Sequence, residues 1–426
     1  MNKSNSITLY EYEKSEELTQ REISLIKKLN KNFFSSKDED SGFFDLISGN
    51  RIKSKQFVGF ISLKSKTIQV LPKLLKNSQE NTDSSIIKNL LFMLSFTKKL
   101  GIKETDISKL GDSENLYEII IYLFAKNLLE LLKKEIYRTY ETREENLNYL
   151  KGKLLITDQI KKNQFDKTKF YVSHDELIEN NLLNQVFKTT ITKLINFTKS
   201  NKNFKLLTEC DLILDNVSNK NLKLIDCEKL NFNRLNKNYE NSFNLAKLLL
   251  FGNSTSFESS NLDSYSFMFD MNKLFEEFIG EFIKRYFGEH YKEISLQKSN
   301  KYVFAKEYND KNYFNLKPDI YFKKFDGKAL IIDTKYKILN ENKSYSGVQQ
   351  GDIYQMFMYG LRYFNNENVK KIILLYPQET NHNYELENSY ISEENINIAI
   401  KSINLHFNLI SNKENLISQL KEVLEI

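Results

Sequence analysis

Two stretches decide the fold of the carboxy-terminal part: Leu316-Lys317-Pro318-Asp319-Ile320-Tyr321 and Leu330-Ile331-Ile332-Asp333-Thr334-Lys335-Tyr336. Both read as strands, the first opening at Pro318-Asp319 and the second carrying three apolar residues before Asp333, with Gly327 in the short gap between them. Side chains alternate faces along a strand, so Asp333 and Lys335 point the same way. Whether Asp319 joins them is a question of hairpin register. A two-residue turn at Asp326-Gly327 sets Asp319 opposite Thr334, on the wrong face. A three-residue loop, Phe325-Asp326-Gly327, sets it opposite Asp333. That loop type wants a left-handed residue at its last position, and Gly327 tolerates it. The glycine therefore favours a register with both carboxylates on one face, their Cβ atoms about 4.5–5.5 Å apart.

Working outward, residues 270–287 form a helix with one broad apolar face: Met271, Leu274, Phe275, Phe278, Ile279, Phe282, Ile283 and Tyr286. Strands are expected near 302–307, 316–323 and 328–337, a helix over 348–364 and a strand over 370–376. The order helix, three strands, helix, strand implies α/β layer packing.

Two carboxylates this close repel unless a cation or a proton intervenes. Mg²⁺ is hard and oxygen-seeking, and usually takes one or two carboxylates plus waters and a substrate phosphate. Phosphodiester hydrolysis needs such an ion to activate water and to offset charge in the transition state. Asp319 and Asp333 are the candidate ligands, with Thr334 and Glu276 as further ones. Lys335 adds a positive charge that holds the attacking water or stabilises the developing anion. Glu276 is also readable as a solvated helix residue, and Glu277 competes for its role. On the later helix, which also carries Asp352, the residues Gln355, Tyr359 and Arg362 are spaced i, i+4, i+7 and share a face. That face can present an amide, a phenol and a guanidinium to a phosphate or to Lys335. Gln355 and Tyr359 join the candidate catalytic set. The bland alternative is a solvated hairpin with an ordinary surface ion pair, because Asp-x-Lys alone is common.

The chain has 426 residues, 40% of them hydrophobic, enough for two or three cores. No run approaches the roughly 18–20 apolar residues that span a bilayer. The amino terminus lacks an apolar signal region, so a cytoplasmic location is expected. Cys210 and Cys227 are too far apart for a Cys-x-x-Cys motif and read as packing residues. His174, His290, His382 and His406 lack ligand spacing, which disfavours zinc. The net charge of +6 permits polyanion binding without demanding it. No Gly-x-x-x-x-Gly-Lys-Ser/Thr loop occurs, so the chain has no recognisable nucleotide cradle of its own.

Few Pro and Gly residues mark boundaries. A helix over residues 15–32 and a strand pair over 56–63 and 67–71 open the chain. Residues 77–85 read as a loop or linker, helical patterns run over 86–134, 181–197 and 241–250, and 252–263 read as an inter-domain linker. The expectation is a multidomain α/β protein. It comprises an amino-terminal β-rich α+β region at 1–80, a mostly helical centre at 81–262 and the αβββαβ domain at 263–426.

The pattern Pro318-Asp319 … Asp333-Thr334-Lys335 resembles the PD-(D/E)xK nucleases, and Gln355-Met356-Phe357-Met358-Tyr359 looks like their QxxxY extension. The whole chain resembles the McrC subunit of McrBC-type modification-dependent restriction systems. The matching pieces are Phe57-Val58-Gly59-Phe60-Ile61 with Ile68-Gln69-Val70-Leu71-Pro72-Lys73, Glu144-Glu145-Asn146-Leu147 through Leu150-Lys151-Gly152-Lys153-Leu154, Asp175-Glu176 with Asn180-Asn181-Leu182-Leu183-Asn184, and Phe269 through Glu276. The charged central motif is also readable as a solvated surface. The resemblance implies a Mg²⁺-dependent DNA endonuclease. Its partner is implied to be a hexameric McrB-type AAA+ GTPase that binds the GTP and reads modified double-stranded DNA. Residues 1–80 are implied to dock on that ring, stimulating GTP hydrolysis. Two other readings are a standalone nuclease and a non-catalytic GTPase-activating scaffold.

Overall fold

The computed structural model describes residues 6–33, 42–63, 66–75, 82–97, 100–110, 115–252, 264–305, 312–339, 344–364, 370–378 and 388–426. The chain divides into two compact units, one formed by Met1–Leu116 with Asp263–Ile426, the other by Tyr117–Leu262.

In the first unit, β1 (Ser6–Tyr10), β2 (Phe57–Leu63), β3 (Thr67–Leu71) and β4 (Ser264–Asp270) make one sheet in the order β1-β3-β2-β4. All residues of β2 and β3 are buried. The pairing of β2 with β4 runs from Phe57 opposite Asp270 to Leu63 opposite Ser264. Gly59 permits it: φ is +137°, and an added Cβ would lie 1.9 Å from the Phe267 carbonyl oxygen.

This sheet overturns the expected split into 1–80 and 263–426 as separate domains. A strand from just before the site helix completes the amino-terminal sheet, and the helix Asp83–Phe96 also belongs to this unit. Its Phe92 and Phe96 pack edge-on against Phe278. Thr82 caps that helix, so the expected loop over 77–85 ends by Thr82, and 76–81 lie outside the described residues. The expected linker over 252–263 also falls almost wholly outside them.

The second sheet follows the helix α1 (Met271–Phe287). Its strands are β5 (Glu293–Leu296), β8 (Ile320–Lys323), β9 (Ala329–Thr334), β10 (Lys370–Pro377), β11 (Asn388–Ile391) and β12 (Ile396–Ile403), in the order β5-β8-β9-β10-β12-β11. A separate hairpin, β6 (Lys301–Ala305) with β7 (Asn312–Leu316), leads into β8. The pairs β9·β10 and β10·β12 are parallel. The helix α2 (Gln350–Tyr363) makes the crossover from β9 to β10, as a parallel pair requires. Ile331, Ile372, Leu374, Ile398 and Ile400 form one core with Met356, Tyr359 and Tyr363 of α2. Every residue of β9 is buried, the pattern of a strand covered on both faces.

The second unit contains the helices Leu182–Ile195 and Glu240–Phe251, as their apolar spacing predicts, and a further helix, Asn201–Ile213. Cys210 and Cys227 are buried and unpaired there. It also holds a three-stranded antiparallel sheet of Thr139–Leu147, Lys153–Leu154 and Phe170–Ile178, which a mostly helical reading misses. Thr139–Leu147 is polar and exposed on both faces, so it carries no period-two apolar signal. Among the described residues no helix is long and apolar enough to cross a membrane.

Candidate active site

The β8–β9 hairpin turns through Phe325-Asp326-Gly327, with Lys324 N–H donating to the Lys328 carbonyl at 2.8 Å and Gly327 at φ +92°. Ile320 pairs with Ile332 and Lys323 with Ala329. The same register sets Asp319 opposite Asp333, the arrangement that the three-residue loop predicts. Strand alternation then aims Asp333 toward the face that carries Ile331 and α2.

Asp319 is clamped. Its Oδ2 accepts from the Thr334 backbone N–H and from the Thr334 hydroxyl, both at 2.8 Å. Thr334, read as a possible ligand, thus has its hydroxyl committed to Asp319. Asp333 is 2% exposed, and its Oδ2 takes no hydrogen bond of good angle. Its partner is the Lys335 ammonium, 2.7 Å away. Lys335 Nζ also donates to Gln355 Oε1 at 3.1 Å and lies 3.6 Å from Asp352 Oδ1. Gln355 Nε2 donates in turn to the Tyr359 hydroxyl at 2.8 Å. Tyr359 is buried against Tyr363, so this relay is anchored in the core.

Glu276, on α1, lines a pocket of about 250 Å³ with Glu277, Glu281, Gln297 and Asp319. Burial pushes its carboxyl above the ordinary range; a hydrogen bond with Asp319 opposes this, and the Asp333 charge adds to it. Burial raises Asp319 too, helped by the Glu276 charge and opposed by the Thr334 hydrogen bonds. Asp333 is raised by burial and then by the charge of Asp319, with Lys335 working against both. Burial disfavours the Lys335 ammonium, but Asp333, Asp352 and Asp319 outweigh it and hold its pKa above the usual lysine value. Three acids thus converge with more negative charge than one lysine offsets.

The donors are hard oxygens, which suits Mg²⁺. Among the described residues no group of three or more His, Cys, Asp or Glu side chains is placed to hold a metal ion, so at most two carboxylates are available as protein ligands. The remaining positions would fall to water and substrate, the usual pattern for this ion.

Not every expectation meets at this site. Arg362 shares a helix face with Gln355 and Tyr359, yet its guanidinium donates to the Val303 carbonyl of β6. Three residues join the site without having been given a role in it. Asp352 faces both Lys335 and Lys337. Gln297 takes a left-handed backbone (φ 53°), and its N–H donates to the Asp319 carbonyl at 2.8 Å. Glu11, past the end of β1, accepts from the Tyr336 hydroxyl at 3.1 Å and from the Lys73 N–H at 3.0 Å. Tyr336 follows Lys335 and packs on Phe275 of α1. No local sequence signal marks these contacts, apart from the acidic character of Asp352 on the site helix.

Comparison with known proteins adds an independent line. Residues 52–377 match the family model described as McrBC 5-methylcytosine restriction system component. One similar structure is a half-complex refined from a tetradecameric assembly of Thermococcus gammatolerans McrB AAA+ hexamers with bound McrC. There the identity is 25%, coverage is 98% of this chain and 100% of that chain, and the TM-score is 0.75. Another is the electron cryo-microscopy structure of the Thermococcus gammatolerans McrBC complex, at 32% identity, with 66% of this chain and 87% of that chain covered and a TM-score of 0.56. No curated protein matches.

Proposed function

The chain belongs to the family of McrBC 5-methylcytosine restriction system components, and from that premise we propose that it is the DNA-cleaving subunit of such a system, with a PD-(D/E)xK site. The observation that carries the reading is the register: Asp319 stands opposite Asp333, with Lys335 ion-paired to Asp333 and Glu276 beside them.

Asp319 and Asp333 would hold Mg²⁺, with Glu276 lining the same pocket as Asp319; the ion when bound supplies Lewis-acid activation of water and of the phosphoryl group. Thr334 fixes the Asp319 carboxylate through two donors. Lys335 is protonated at neutral pH, since its pKa is raised, so it donates rather than accepts. Its ammonium orients the attacking water and meets negative charge developing on the phosphate oxygens as the P–O bond to the leaving group breaks. Gln355, itself tied to Tyr359, keeps that ammonium from swinging away.

The partner in this reading is a McrB-type AAA+ hexamer that binds and hydrolyses GTP, and the substrate is modified double-stranded DNA. The ring-facing surface is assigned to the second unit rather than to residues 1–80. What supports this is exposure: Tyr140, Tyr149, Leu150, Ile156, Ile160 and Phe165 are each more than half exposed, whereas β2 and β3 are buried throughout. Six such side chains within residues 140–165 supply apolar area that a partner could bury.

The test uses the assembled complex. Asp333→Ala and Lys335→Ala are expected to abolish cleavage of modified DNA while GTP hydrolysis by the ring stays stimulated. Cutting at the parent rate by either variant sinks the site assignment.

A further inference from the structure

We propose that the β6–β7 hairpin carries an aromatic wedge, Phe304 with Phe314, which inserts between DNA bases beside the cleavage point; this rests on the nuclease reading above. Phe304 is 64% and Phe314 71% exposed. The rings meet edge to face with centroids 6.1 Å apart. Two phenylalanines that shield mainly each other contribute little to a core.

Backbone geometry points the same way. Phe314 has φ +60°, a left-handed conformation that is costly for a bulky side chain. The ladder pairs Tyr302 with Asn315 and Phe304 with Tyr313, leaving the Val303–Phe314 step distorted between them. Retained strain of this sort is found where a side chain must be aimed.

The hairpin is also fixed relative to the candidate catalytic groups. The Tyr363 hydroxyl lies 2.8 Å from both the Leu316 and the Lys298 carbonyl oxygens, and its single hydrogen is shared between them. Arg362 donates to the Val303 carbonyl. Both anchors stand on α2, the helix that carries Gln355 and Tyr359. Phe314 precedes Asp319 by five residues, so the chain between them spans at most about 17 Å. That is about five base steps of one strand.

The surroundings favour nucleic acid over a protein face. Lys301 lies at the start of β6, Lys317 follows β7, and both Lys317 and Arg362 are exposed. Cations at the base of a hairpin that bears an exposed aromatic pair suit a polyanion whose interior is stacked bases. Apolar wedges between base steps unstack and kink duplex DNA, and base–aromatic stacking is tolerant of sequence. A wedge there would open the duplex where the phosphodiester must enter the acidic site.

The experiment uses the full chain with its partner ring. In an Asp333→Ala background, which keeps DNA intact, 2-aminopurine is scanned through the base pairs around the cleavage position. The expected result is a fluorescence rise at one or two positions that disappears on adding Phe304→Ala and Phe314→Ala. With Asp333 restored, the double alanine variant should cut fully paired DNA at least tenfold more slowly, and DNA mismatched at those positions at close to the parent rate. No fluorescence rise, or equal rates on paired DNA, overturns the wedge. Equal slowing on both DNAs together with lost GTPase stimulation overturns it in favour of a protein-binding role. Normal cutting by Asp333→Ala would instead overturn the nuclease reading.

Discussion

Replacing Glu11 by Gln should stabilise the protein at neutral and alkaline pH and leave it nearly unchanged in acid. Glu11 is 2% exposed, and its Oε1 is buried with no hydrogen-bond partner. Burial raises its pKa from 4.5 to about 7, against the opposing Lys73 and Tyr336 hydrogen bonds and with help from Asp270. Below pH 4.5 the carboxyl is protonated whether the chain is folded or not, and it carries no penalty. Between 4.5 and about 7 the unfolded chain releases the proton while the folded one keeps it, so stability falls as pH rises. At about 1.36 kcal/mol per pH unit, the penalty levels off near 3 kcal/mol above pH 7. A glutamine fills the same volume, and its oxygen can accept from both donors. Its NH₂ takes the place of Oε1, much as the protonated acid places a hydroxyl there. Urea unfolding of both proteins at pH 4, 6 and 8 measures the difference, with shared titrations cancelling. Agreement at pH 4 and a gap of about 3 kcal/mol at pH 8 is the expected outcome. Curves that stay parallel across the range would refute the claim that Glu11 is ionised at a cost.

Thr334→Val removes one of the two donors to Asp319 without changing shape; single-turnover cleavage should slow about tenfold or more, the worth of a charge-assisted hydrogen bond, with GTPase stimulation intact. Gly59→Ala should lower the melting temperature of the full chain by roughly 5 °C or more, because a Cβ 1.9 Å from the Phe267 oxygen forces β2 and β4 apart; an unchanged melting curve would contradict the described pairing. Calorimetric titration with Mg²⁺ should show binding to the parent chain that Asp319→Ala and Asp333→Ala weaken at least tenfold.

The candidate site was largely legible because its decisive geometry is local. Asp319 and Asp333 are joined by one short hairpin, and Gly327 selects its register. Gln355 and Tyr359 follow from helical spacing alone. Arg362 shows the limit of that reasoning. It shares the helix period with Gln355 and Tyr359, but seven residues advance about 10 Å along a helix, and there its guanidinium meets the Val303 carbonyl of the β6–β7 hairpin. The α1 helix was clear from its apolar stripe, whereas β4 just before it was hidden, since its partner β2 lies two hundred positions earlier.

The sequence by itself determined which residues could share the acidic face of the candidate site, since loop length, alternation and helical period act over a few residues. Only the tertiary structure decided what surrounds that face. Glu11 meets Tyr336 across 325 positions, and Asp352 and Gln297 reach the site from separate elements. The division into units is likewise decided by strand pairing across most of the chain. Burial and pairing between distant segments depend on how the whole chain closes, and no local period encodes that closure.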